Sequence, residues 1–376
     1  MGIKGLLQLC SLRESTFYEL ANELSVELMK KPKILIDGYV ILHKYAIGYA
    51  EPIVKNENML PKEMIMSIIN YIGSIEQAGF DICIVFDGRP NNLKFETNQK
   101  RKQIREEALE KHEWKSAVKI TAEHVNILIN VIKVLMPKWE YMIAPFEADS
   151  QLAYLEKIEY GDVIYTVDTD VIIYGAKRVI IKDQKGILQY YKRYSQPANG
   201  DIRLVNQLPD YKLFLIPALV GCDYFKGIYG IGIKHAMNLL HYAEPLFVKP
   251  DVNNIRQVLV SVLNLDFVSK RMKKMTISTD ENDMSVGYAR KRGLTRGKLL
   301  EQMDFAITGF MRHPVYDPIQ NKLITFLGEE CSFENCGIFG NLNKMDIQKE
   351  IIEGKRNPIT CELYKSREIN EILNNS

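Results

Sequence analysis

Short apolar runs that end in an acidic residue recur along the chain. Residues 33–37 read KILID and residues 81–88 read DICIVFDG, and each run has the length of a buried strand. Between them, residues 61–77 carry isoleucines at helical spacing, and Gly79 follows. The pattern predicts a strand–helix–strand unit in which an acid closes each strand.

Residues 141–170 concentrate the same pattern. One apolar run leads into Glu147 and Asp149, and a second leads into Asp168 and Asp170. Because the carboxyl ends of parallel strands meet at one edge of a sheet, we expect these four side chains to lie at that edge. The chain therefore predicts an α/β fold, with a central, mostly parallel twisted sheet flanked by helices.

The remaining apolar pattern predicts further helices, strands and one hairpin. The expected helices are 122–136, 147–157 and 210–220, and the expected strands are 141–144 and 162–167. A β-hairpin should turn near Lys185-Gly186. Residues 303–327 contain apolar runs that would pack back on the core.

Charge is segregated along the chain although its total is nearly balanced. The formal net charge is +2, from 49 basic and 47 acidic side chains. Residues 93–119 are highly charged, helix-forming sequence with few apolar positions. Such a run is often a solvated helix face, but its place between two acid-ended strands predicts that it overhangs the acidic edge. Two more basic clusters lie at 270–274 and 290–298, and we expect a mobile loop between them.

Composition excludes several classes of protein. The 46% hydrophobic content supports a large core, and no run approaches the length of a membrane-spanning helix. The opening MGIKGLLQLC is too short and too quickly polar for a secretory signal. Of six scattered cysteines only Cys331 and Cys336 are close, and no further pair completes a zinc site. These features indicate an intracellular protein with reduced cysteines.

Seven acids stand at the ends of predicted elements. They are Asp37, Asp87, Glu147, Asp149, Asp168, Asp170 and Asp223. Ligands that are all oxygen favour hard cations such as Mg²⁺ or Mn²⁺ over zinc. One Mg²⁺ uses few protein carboxylates, so the set predicts two ions about 4 Å apart, one activating water and one stabilising the leaving oxygen of a phosphodiester. The alternative is that each acid is a polar loop residue or a helix cap, and their number and placement favour the metal interpretation.

Five ordered blocks of sequence resemble the eukaryotic exonuclease 1 and flap endonuclease family of structure-specific 5′ nucleases (the XPG type). The blocks read ILIDGYVILHK, IVFDGRPNNLKFETNQKR, APFEADSQLAYL, TVDTDVIIYG and GCDYFKGIYGIG. Two stretches, EADSQLAYL and GFMRHPVYDPIQNKLITF, are closer to exonuclease 1 than to flap endonucleases. By the resemblance, the long C-terminal region in which exonuclease 1 proteins bind mismatch-repair partners is expected to be missing, either by truncation or because the enzyme is a compact version.

The resemblance also implies a domain organisation. Residues 1–325 are expected to form a single 5′ nuclease domain of the PIN-like fold. Its parts are a block at 1–120 with arch helices at 93–120, and a block at 121–265 with a helix–two-turn–helix motif at 211–241. Residues 326–376 would be a C-terminal extension that packs on the core or is partly mobile.

The resemblance assigns a role to each matched residue. Asp37, Asp87, Glu147 and Asp149 would hold one metal ion, and Asp168, Asp170 and Asp223 the second. Lys94 and Arg101 match the basic pair on the arch helix, where they would contact the scissile phosphate. Their spacing of seven residues places them on one helical face.

Further matched residues are implied to contact DNA. They are Gly2 beside the active site, Tyr39 and His43, and Gly230, Gly232 and Lys234 at the helix–two-turn–helix motif. Core packing for Tyr39 and a surface hydrogen bond for His43 remain equally open. The glycine-rich turn would let backbone N–H groups approach a duplex phosphate, with a K⁺ ion bridging.

Two departures from the family pattern bear on function. Gly227 stands where relatives often carry a hydroxyl residue, so a side-chain ligand for K⁺ is missing from the turn. The interval between Asp87 and Glu147 is short, which predicts a trimmed arch. In addition, the sequence from Gln184 to Tyr191 fits a sliding-clamp binding pattern, although strand alternation in a hairpin places the same residues for packing.

The expected activity is that of a monomeric 5′→3′ exonuclease on double-stranded DNA with 5′-flap endonuclease activity. It would use two Mg²⁺ ions, with Mn²⁺ able to substitute, on DNA with 5′ ends, nicks, gaps or flaps. The resemblance implies a nuclear protein of DNA repair, replication or recombination, with mismatch-repair and sliding-clamp proteins as weaker partner predictions. The alternatives are a flap endonuclease, a non-catalytic protein that binds DNA junctions, and a nuclease for RNA 5′ ends.

Overall fold

The computed structural model describes residues 2–56, 59–193, 204–241, 251–263, 296–332 and 336–364. Its strands are β1 Leu12–Ser15, β2 Lys33–Asp37, β3 Asp81–Phe86, β4 Glu140–Ile143, β5 Val163–Tyr165, β6 Arg178–Gln184, β7 Ile187–Lys192, β8 Pro314–Asp317 and β9 Lys322–Thr325. Short 3₁₀ helices span Leu6–Leu9, Ile47–Tyr49, Asn92–Lys94, Val205–Gln207 and Gly337–Phe339.

The α-helices follow the strands in alternation through the first half of the chain. They are α1 Phe17–Leu28, α2 Gly38–Ala46, α3 Ala50–Lys55, α4 Lys62–Gln77, α5 Phe95–Glu110, α6 Trp114–Ala117, α7 Ala122–Leu135, α8 Ala148–Lys157, α9 Asp170–Ile173, α10 Asp210–Leu213, α11 Leu215–Val220, α12 Ile233–His241, α13 Val252–Leu263, α14 Arg296–Met311 and α15 Met345–Ile352. In the part of the chain that the structure describes, no helix is long and apolar enough to cross a membrane.

The central sheet has seven strands in the order β1-β7-β6-β5-β2-β3-β4. The five strands from β4 to β6 are parallel to their neighbours, whereas β7 is antiparallel to both β6 and β1. The chain runs outward from β2 to β4 and then returns to place β5 on the other side of β2. The strand order therefore reverses between β2 and β5, and the crevice at the carboxyl ends of these strands is the expected ligand site.

Burial on both faces explains why the parallel strands read as continuous apolar runs. In β2, Ile34, Leu35 and Ile36 are all fully buried. Leu35 belongs to the core on one face of the sheet, while Ile34 and Ile36 belong to the core on the other. Side chains of a strand alternate between faces, so a strand with helices on both sides needs apolar residues throughout.

The structure confirms the predicted α/β fold and most of its elements. It adds β1 and α1, which the apolar pattern did not predict. The start of α1 carried a signal, because Thr16 and Glu19 form a capping box. The predicted helix 210–220 is two short helices, and Pro217, which has no N–H to donate, lies in the first turn of the second.

The apolar runs of 303–327 pack on the core as expected. They form α14 and the β8–β9 hairpin, and the side chain of Gln151 on α8 exchanges two hydrogen bonds of 2.8 Å with the backbone of Tyr316. The basic cluster 270–274, the loop expected after it and most of the cluster 290–298 lie outside the described residues.

Candidate active site

Asp37 ends β2 and caps α2 at the point where the strand order reverses. Its Oδ1 accepts hydrogen bonds from the backbone N–H groups of Tyr39 and Val40, at 3.0 and 3.2 Å. Its Oδ2 accepts one from Thr166 Oγ1 at 2.8 Å. Burial, with a smaller contribution from the charge of Asp168, raises the pKa of Asp37 to about 6. The carboxylate is therefore fixed in position, and its charged form is disfavoured.

Asp87 follows β3 and connects it to the start of α8. Its Oδ1 accepts a hydrogen bond of 2.7 Å from the backbone N–H of Ala148. This bond holds the end of β3 beside the first turn of α8, which carries the next two acids. Burial, followed by the charge of Asp37, raises the pKa of Asp87 to about 7.

Glu147 and Asp149 stand at the first turn of α8. For Asp149, burial and then the charges of Asp168 and Asp37 raise the pKa well above its ordinary value. For Glu147, burial also raises the pKa, but the charge of Lys94 and other partners outweigh burial and bring it below the ordinary value. Glu147 is thus ionised while its neighbour Asp149 is held toward the protonated form.

Asp168 lies in the loop that follows β5, and Asp170 begins α9 directly after it. The backbone N–H of Asp170 donates to Asp168 Oδ1 at 3.1 Å. Asp170 is buried, and its Oδ1 has no hydrogen-bond partner among the described residues. Burial, followed by the charge of Asp168, raises the pKa of Asp170 well above its ordinary value. A buried carboxylate oxygen without a donor is the kind of group that a cation would satisfy.

Gly2 lies directly against this loop. A Cβ atom on Gly2 would stand 2.3 Å from Thr169 Oγ1 and 2.5 Å from Asp168 Oδ1. The φ angle of Gly2 is +86°, a left-handed conformation that side chains rarely adopt. The second residue of the chain therefore packs at the site, as the sequence predicted, and glycine is required there for two reasons.

Lys94 lies between acids that were predicted to hold different metal ions. Its Nζ is 2.7 Å from Glu147 Oε1 and 3.0 Å from Asp223 Oδ2. Burial lowers the pKa of Lys94, but the charges of Glu147, Asp223 and other acids outweigh burial and raise it well above its ordinary value. Arg101 is farther away, with Nη2 at 3.8 Å from Asp223 Oδ2.

The helical spacing argument for this basic pair is only partly right. Lys94 ends the 3₁₀ helix Asn92–Lys94 and caps α5, whereas Arg101 lies within α5. Both side chains nevertheless point to Asp223. The two residues therefore lie at the site through their contacts with Asp223, and not because they share one helical face.

The seven acids form one cluster whose chemistry fits a hard divalent cation. The donors are all oxygens, Asp37 and Asp170 are buried and the other five acids are half-buried, and the pKa values of Asp37, Asp87, Asp149 and Asp170 are raised. Among the described residues, no group of three or more acidic, histidine or cysteine side chains has an arrangement that would hold an ion. Backbone N–H groups, Thr166 and Lys94 contact several of the carboxylates. The division of the acids between two ions stays a prediction.

Two family models match the segments that supply these acids. The XPG N-terminal domain matches residues 1–108, and the XPG I-region matches residues 138–223. Together they match just over half of the chain. The chain belongs to the XPG family. Every acid of the cluster, together with Lys94 and Arg101, lies in one of these two matched regions.

Several relatives named exonuclease 1 match this XPG-family chain over most of its length. Exodeoxyribonuclease 1 of Schizosaccharomyces pombe is 29% identical over 96% of this chain and 58% of its own length. Exonuclease 1 of Xenopus laevis is 29% identical over 86% of this chain and 40% of its own length. The chain thus spans about half the length of these relatives.

A solved structure shares the fold. It is described as the catalytic core of Rad2 in complex with DNA substrate, and it superposes with a TM-score of 0.51 at 18% sequence identity. The match covers 81% of this chain and 84% of the other. The similarity supports the fold of this XPG-family chain and does not by itself assign its substrate.

The charged segment forms α5 and α6, and the start of α5 lies at the acid cluster of this XPG-family protein. In α5, which the structure describes completely, Ala108 alone is buried. The far end returns to the core at Trp114 and Ala117. The segment is therefore anchored at both ends, with a largely exposed helix between them. That it forms an arch stays a prediction.

Tyr39 and His43 stand on α2, on the side of the site that faces α5. Their ring centroids are 6.2 Å apart, and His43 is exposed. Although its side chain is exposed, partial desolvation by neighbouring atoms, followed by the charges of Arg105 and Arg101, lowers the pKa of His43. The influence of two α5 arginines on His43 indicates that α2 and α5 face each other across the site. Contact of either aromatic residue with DNA stays a prediction.

The glycine-rich turn connects α11 to α12, as predicted for the helix–two-turn–helix motif. Gly230 has a φ of +76°, and Gly232 has open space where a side chain would stand. Gly230, Gly232 and Lys234 are all exposed. At Gly227 a Cβ atom would lie 2.0 Å from the carbonyl oxygen of Val220. This close backbone contact leaves no room for a side chain at Gly227.

The hairpin that resembles a clamp-binding pattern is a packing unit in this structure. Tyr190 and Tyr191 are fully buried, and the chain turns at Lys185-Gly186 as predicted. A partner would have to unfold the β6–β7 hairpin to bind both tyrosines. Strand alternation accounts for the pattern without a partner.

Two residues of the site were not predicted from the sequence. The hydroxyl of Tyr224 donates to Glu147 Oε2 at 3.0 Å, and Thr166 donates to Asp37. Both lie beside predicted acids, since Tyr224 follows Asp223 and Thr166 stands in TVDTD. Their positions beside predicted acids could have marked them as candidate site residues. Their hydrogen-bond partners, however, are 77 and 129 residues away in sequence and are brought close only by the fold.

Proposed function

We propose that the chain is a metal-dependent, structure-specific DNA nuclease that acts as a 5′→3′ exonuclease on duplex DNA and cleaves 5′ flaps. The observation that carries this proposal is the cluster of seven acids at the switch point of the sheet, with the protonated Lys94 placed among them. Membership in the XPG family and the relatives named exonuclease 1 support the same activity.

The acid cluster would hold divalent cations, Mg²⁺ or Mn²⁺, in two positions. Asp37, Asp87, Glu147 and Asp149 would serve one position, and Asp168, Asp170 and Asp223 the other. When bound, such ions neutralise the charge of a phosphodiester and make water a better nucleophile. Asp170 Oδ1 would gain a partner that it lacks among the described residues.

Lys94 has two roles in this proposal. In the structure its ammonium offsets the charges of Glu147 and Asp223. Once cations neutralise these two acids, the same ammonium is available to the scissile phosphate, where it would offset developing negative charge. Arg101, one step farther from the acids, would contact the same phosphate or its neighbour.

The remaining contacts would recognise DNA by shape and charge rather than by sequence. Tyr39 would stack on the terminal base and His43 would contact the strand beside it. Gly230, Gly232 and Lys234 would approach the phosphates of the duplex, with K⁺ bound by backbone oxygens alone because Gly227 leaves no room for a side-chain ligand. Affinity would then fall steeply as salt concentration rises.

The biological setting is proposed from the resemblance alone. The protein would act as a monomer in the nucleus, on DNA with 5′ ends, nicks, gaps or flaps, in repair, replication or recombination. Mismatch-repair or sliding-clamp partners have no support from the described residues beyond the buried hairpin pattern. Fluorescent tagging of the chain in its own cell type would test the nuclear location.

Cleavage of labelled DNA tests the proposed function and separates it from its alternatives. A 5′-labelled blunt duplex and a 5′-flap duplex, each with Mg²⁺ and with EDTA, should be cleaved only with Mg²⁺. Short products from the blunt duplex would indicate the exonuclease, and release of the intact flap would indicate flap cleavage. Binding of DNA junctions without cleavage would favour a non-catalytic junction-binding protein. A preference for a 5′-labelled RNA substrate would favour a nuclease for RNA 5′ ends.

A further inference from the structure

A single arginine ties the C-terminal part of the chain to the loop that carries Asp87. Arg89 Nη1 donates to the carbonyl oxygen of Asn341 at 2.7 Å, and its Nη2 donates to Asn343 Oδ1 at 2.9 Å. The same guanidinium contacts Cys361 Sγ at 3.1 Å and the carbonyl oxygen of Pro358 at 3.5 Å. All four partners belong to residues 336–364, which we call the C-terminal segment.

The loop that bears Arg89 is rigidly attached to the acid cluster. The backbone N–H of Gly88 donates to the carbonyl oxygen of Phe146 at 2.6 Å, and that of Arg89 donates to Pro145 at 3.3 Å. A Cβ atom on Gly88 would lie only 1.9 Å from the carbonyl oxygen of Ala144. A displacement of Arg89 would therefore also move Asp87, which precedes Gly88, and Glu147, which follows Phe146.

The C-terminal segment also touches the elements that carry the other acids and Lys94. Phe339 packs against Phe146, the residue before Glu147, with ring centroids 6.1 Å apart. The 3₁₀ helix Gly337–Phe339 lies against the 3₁₀ helix Asn92–Lys94, which ends at the site lysine. The segment thus supports Asp87, Glu147 and Lys94 from outside.

The segment is itself anchored to the core, so it can act as a fixed support. Ile351 is buried in the core beneath α7 and β4. The hydroxyl of Tyr141 donates to the carbonyl oxygen of Glu353 at 3.4 Å, and the hydroxyl of Tyr364 donates to that of Ala122 at 3.2 Å. Arg89 joins this anchored segment to the catalytic loop.

We propose that the C-terminal segment is a working part of the active site and that Arg89 is the positioning residue through which it holds the Asp87 loop. The inference rests on the proposed metal-dependent nuclease activity. Outer residues that orient metal ligands typically contribute about 10- to 100-fold in metal affinity or activity. Arg89 suits the role because a guanidinium carries five donors in a fixed plane, which lysine cannot reproduce.

The test compares Arg89→Ala and Arg89→Lys with Arg178→Ala in the full chain. Arg178 is a matched control because it is also mostly buried, and it is bonded to Glu27. It begins β6, so it lies at the amino-terminal ends of the parallel strands, whereas the acids lie at their carboxyl ends. Three readouts are measured: trypsin cleavage within residues 336–364 mapped by mass spectrometry, the Mg²⁺ concentration that gives half of the metal-induced rise in melting temperature, and kcat and KM for duplex DNA.

In Arg89→Ala we expect the segment to become accessible to trypsin, the Mg²⁺ midpoint to rise about tenfold and kcat to fall about tenfold, with little change in KM. Arg89→Lys should lie between wild type and Arg89→Ala. Arg178→Ala should leave the Mg²⁺ midpoint and kcat unchanged even if it melts earlier.

Two results would overturn the inference: a segment that stays protected in Arg89→Ala, or one that is released while the Mg²⁺ midpoint and kcat match wild type. Wild-type protein that binds Mg²⁺ without cleaving DNA would overturn the nuclease proposal alone, because the Mg²⁺ midpoint of Arg89→Ala still decides the role of Arg89. Wild-type protein whose melting is indifferent to Mg²⁺ would overturn both.

Discussion

The side-chain nitrogen of Lys94 lies 2.7 Å from Oε1 of Glu147, and both side chains are largely excluded from solvent. A buried ion pair is costly to desolvate, and removal of one partner leaves the other charge uncompensated. The pair is therefore better explained by function than by stability. It keeps a positive charge among the acids that are proposed to bind metal ions and a DNA phosphate.

The role of Lys94 predicts an effect of its removal that Mg²⁺ should reverse in part. Lys94→Ala should lower the free energy of unfolding by about 3 kcal/mol without metal, because Glu147 is then buried without its partner. Mg²⁺ should restore much of this stability but not cleavage. Lys226→Ala is the control, since Lys226 forms an exposed ion pair with Glu96 nearby. Equal melting of Lys94→Ala and wild type in EDTA would contradict the account.

The raised pKa of Asp87 predicts how stability depends on pH. The pKa is about 7 in the folded chain and 3.8 as the ordinary value, so protonation of Asp87 favours the folded state. This contribution is complete below pH 3.8 and is lost as the pH rises through 7. Without metal, Asp87→Asn should therefore stabilise the protein at pH 7.5, by about 1 kcal/mol because the side chain is partly exposed.

Asp87→Asn should also abolish cleavage and weaken stabilisation by Mg²⁺. Chemical denaturation at pH 5 and 7.5, with and without Mg²⁺, measures both effects. Asp81→Asn is the matched control, since Asp81 begins the same strand and is exposed beside Lys31. An Asp87→Asn protein that is less stable than wild type at pH 7.5 in EDTA would show that burial and the charge of Asp37 do not disfavour the ionised form of Asp87.

Six of the seven acids were predictable from the sequence because each stands where an apolar strand ends or a helix begins, whereas Asp223 lies in the turn after α11. The parallel core strands were predictable for the same reason, since burial on both faces leaves a continuous apolar run. By contrast, β1 joins the sheet only through β7, some 180 residues away in the chain. The partners of Lys94, Tyr224 and Arg89 also depend on how distant segments pack, and no local pattern records such contacts.

The close contact at Gly2 predicts that even a methyl group there is harmful. Gly2→Ala should lose most of the cleavage activity, because the Cβ atom would displace Asp168 and Thr169. Gly48→Ala is the control, since open space surrounds Gly48. Initial rates with the blunt duplex measure the effect. Wild-type rates in Gly2→Ala would mean that the N-terminus is not part of the site.

The hydrogen bond from Tyr224 to Glu147 predicts a smaller and more specific effect. Tyr224→Phe removes the hydroxyl and keeps the ring, so the fold should be retained while kcat falls about tenfold. KM for DNA should change little, because Tyr224 orients an acid rather than contacting DNA. Tyr18→Phe, a change on an exposed ring of α1, is the control. A change in KM alone would indicate that Tyr224 binds DNA directly.

Cleavage of a 5′-labelled blunt duplex by wild type and Asp170→Ala, each with Mg²⁺ and with EDTA, tests the central claim most directly. Asp170 is the buried acid whose Oδ1 lacks a partner among the described residues. We predict that wild type releases short 5′ products only with Mg²⁺, and that Asp170→Ala binds the duplex but releases none. Cleavage by Asp170→Ala in Mg²⁺, or by wild type in EDTA, would contradict a metal-dependent nuclease site at this cluster.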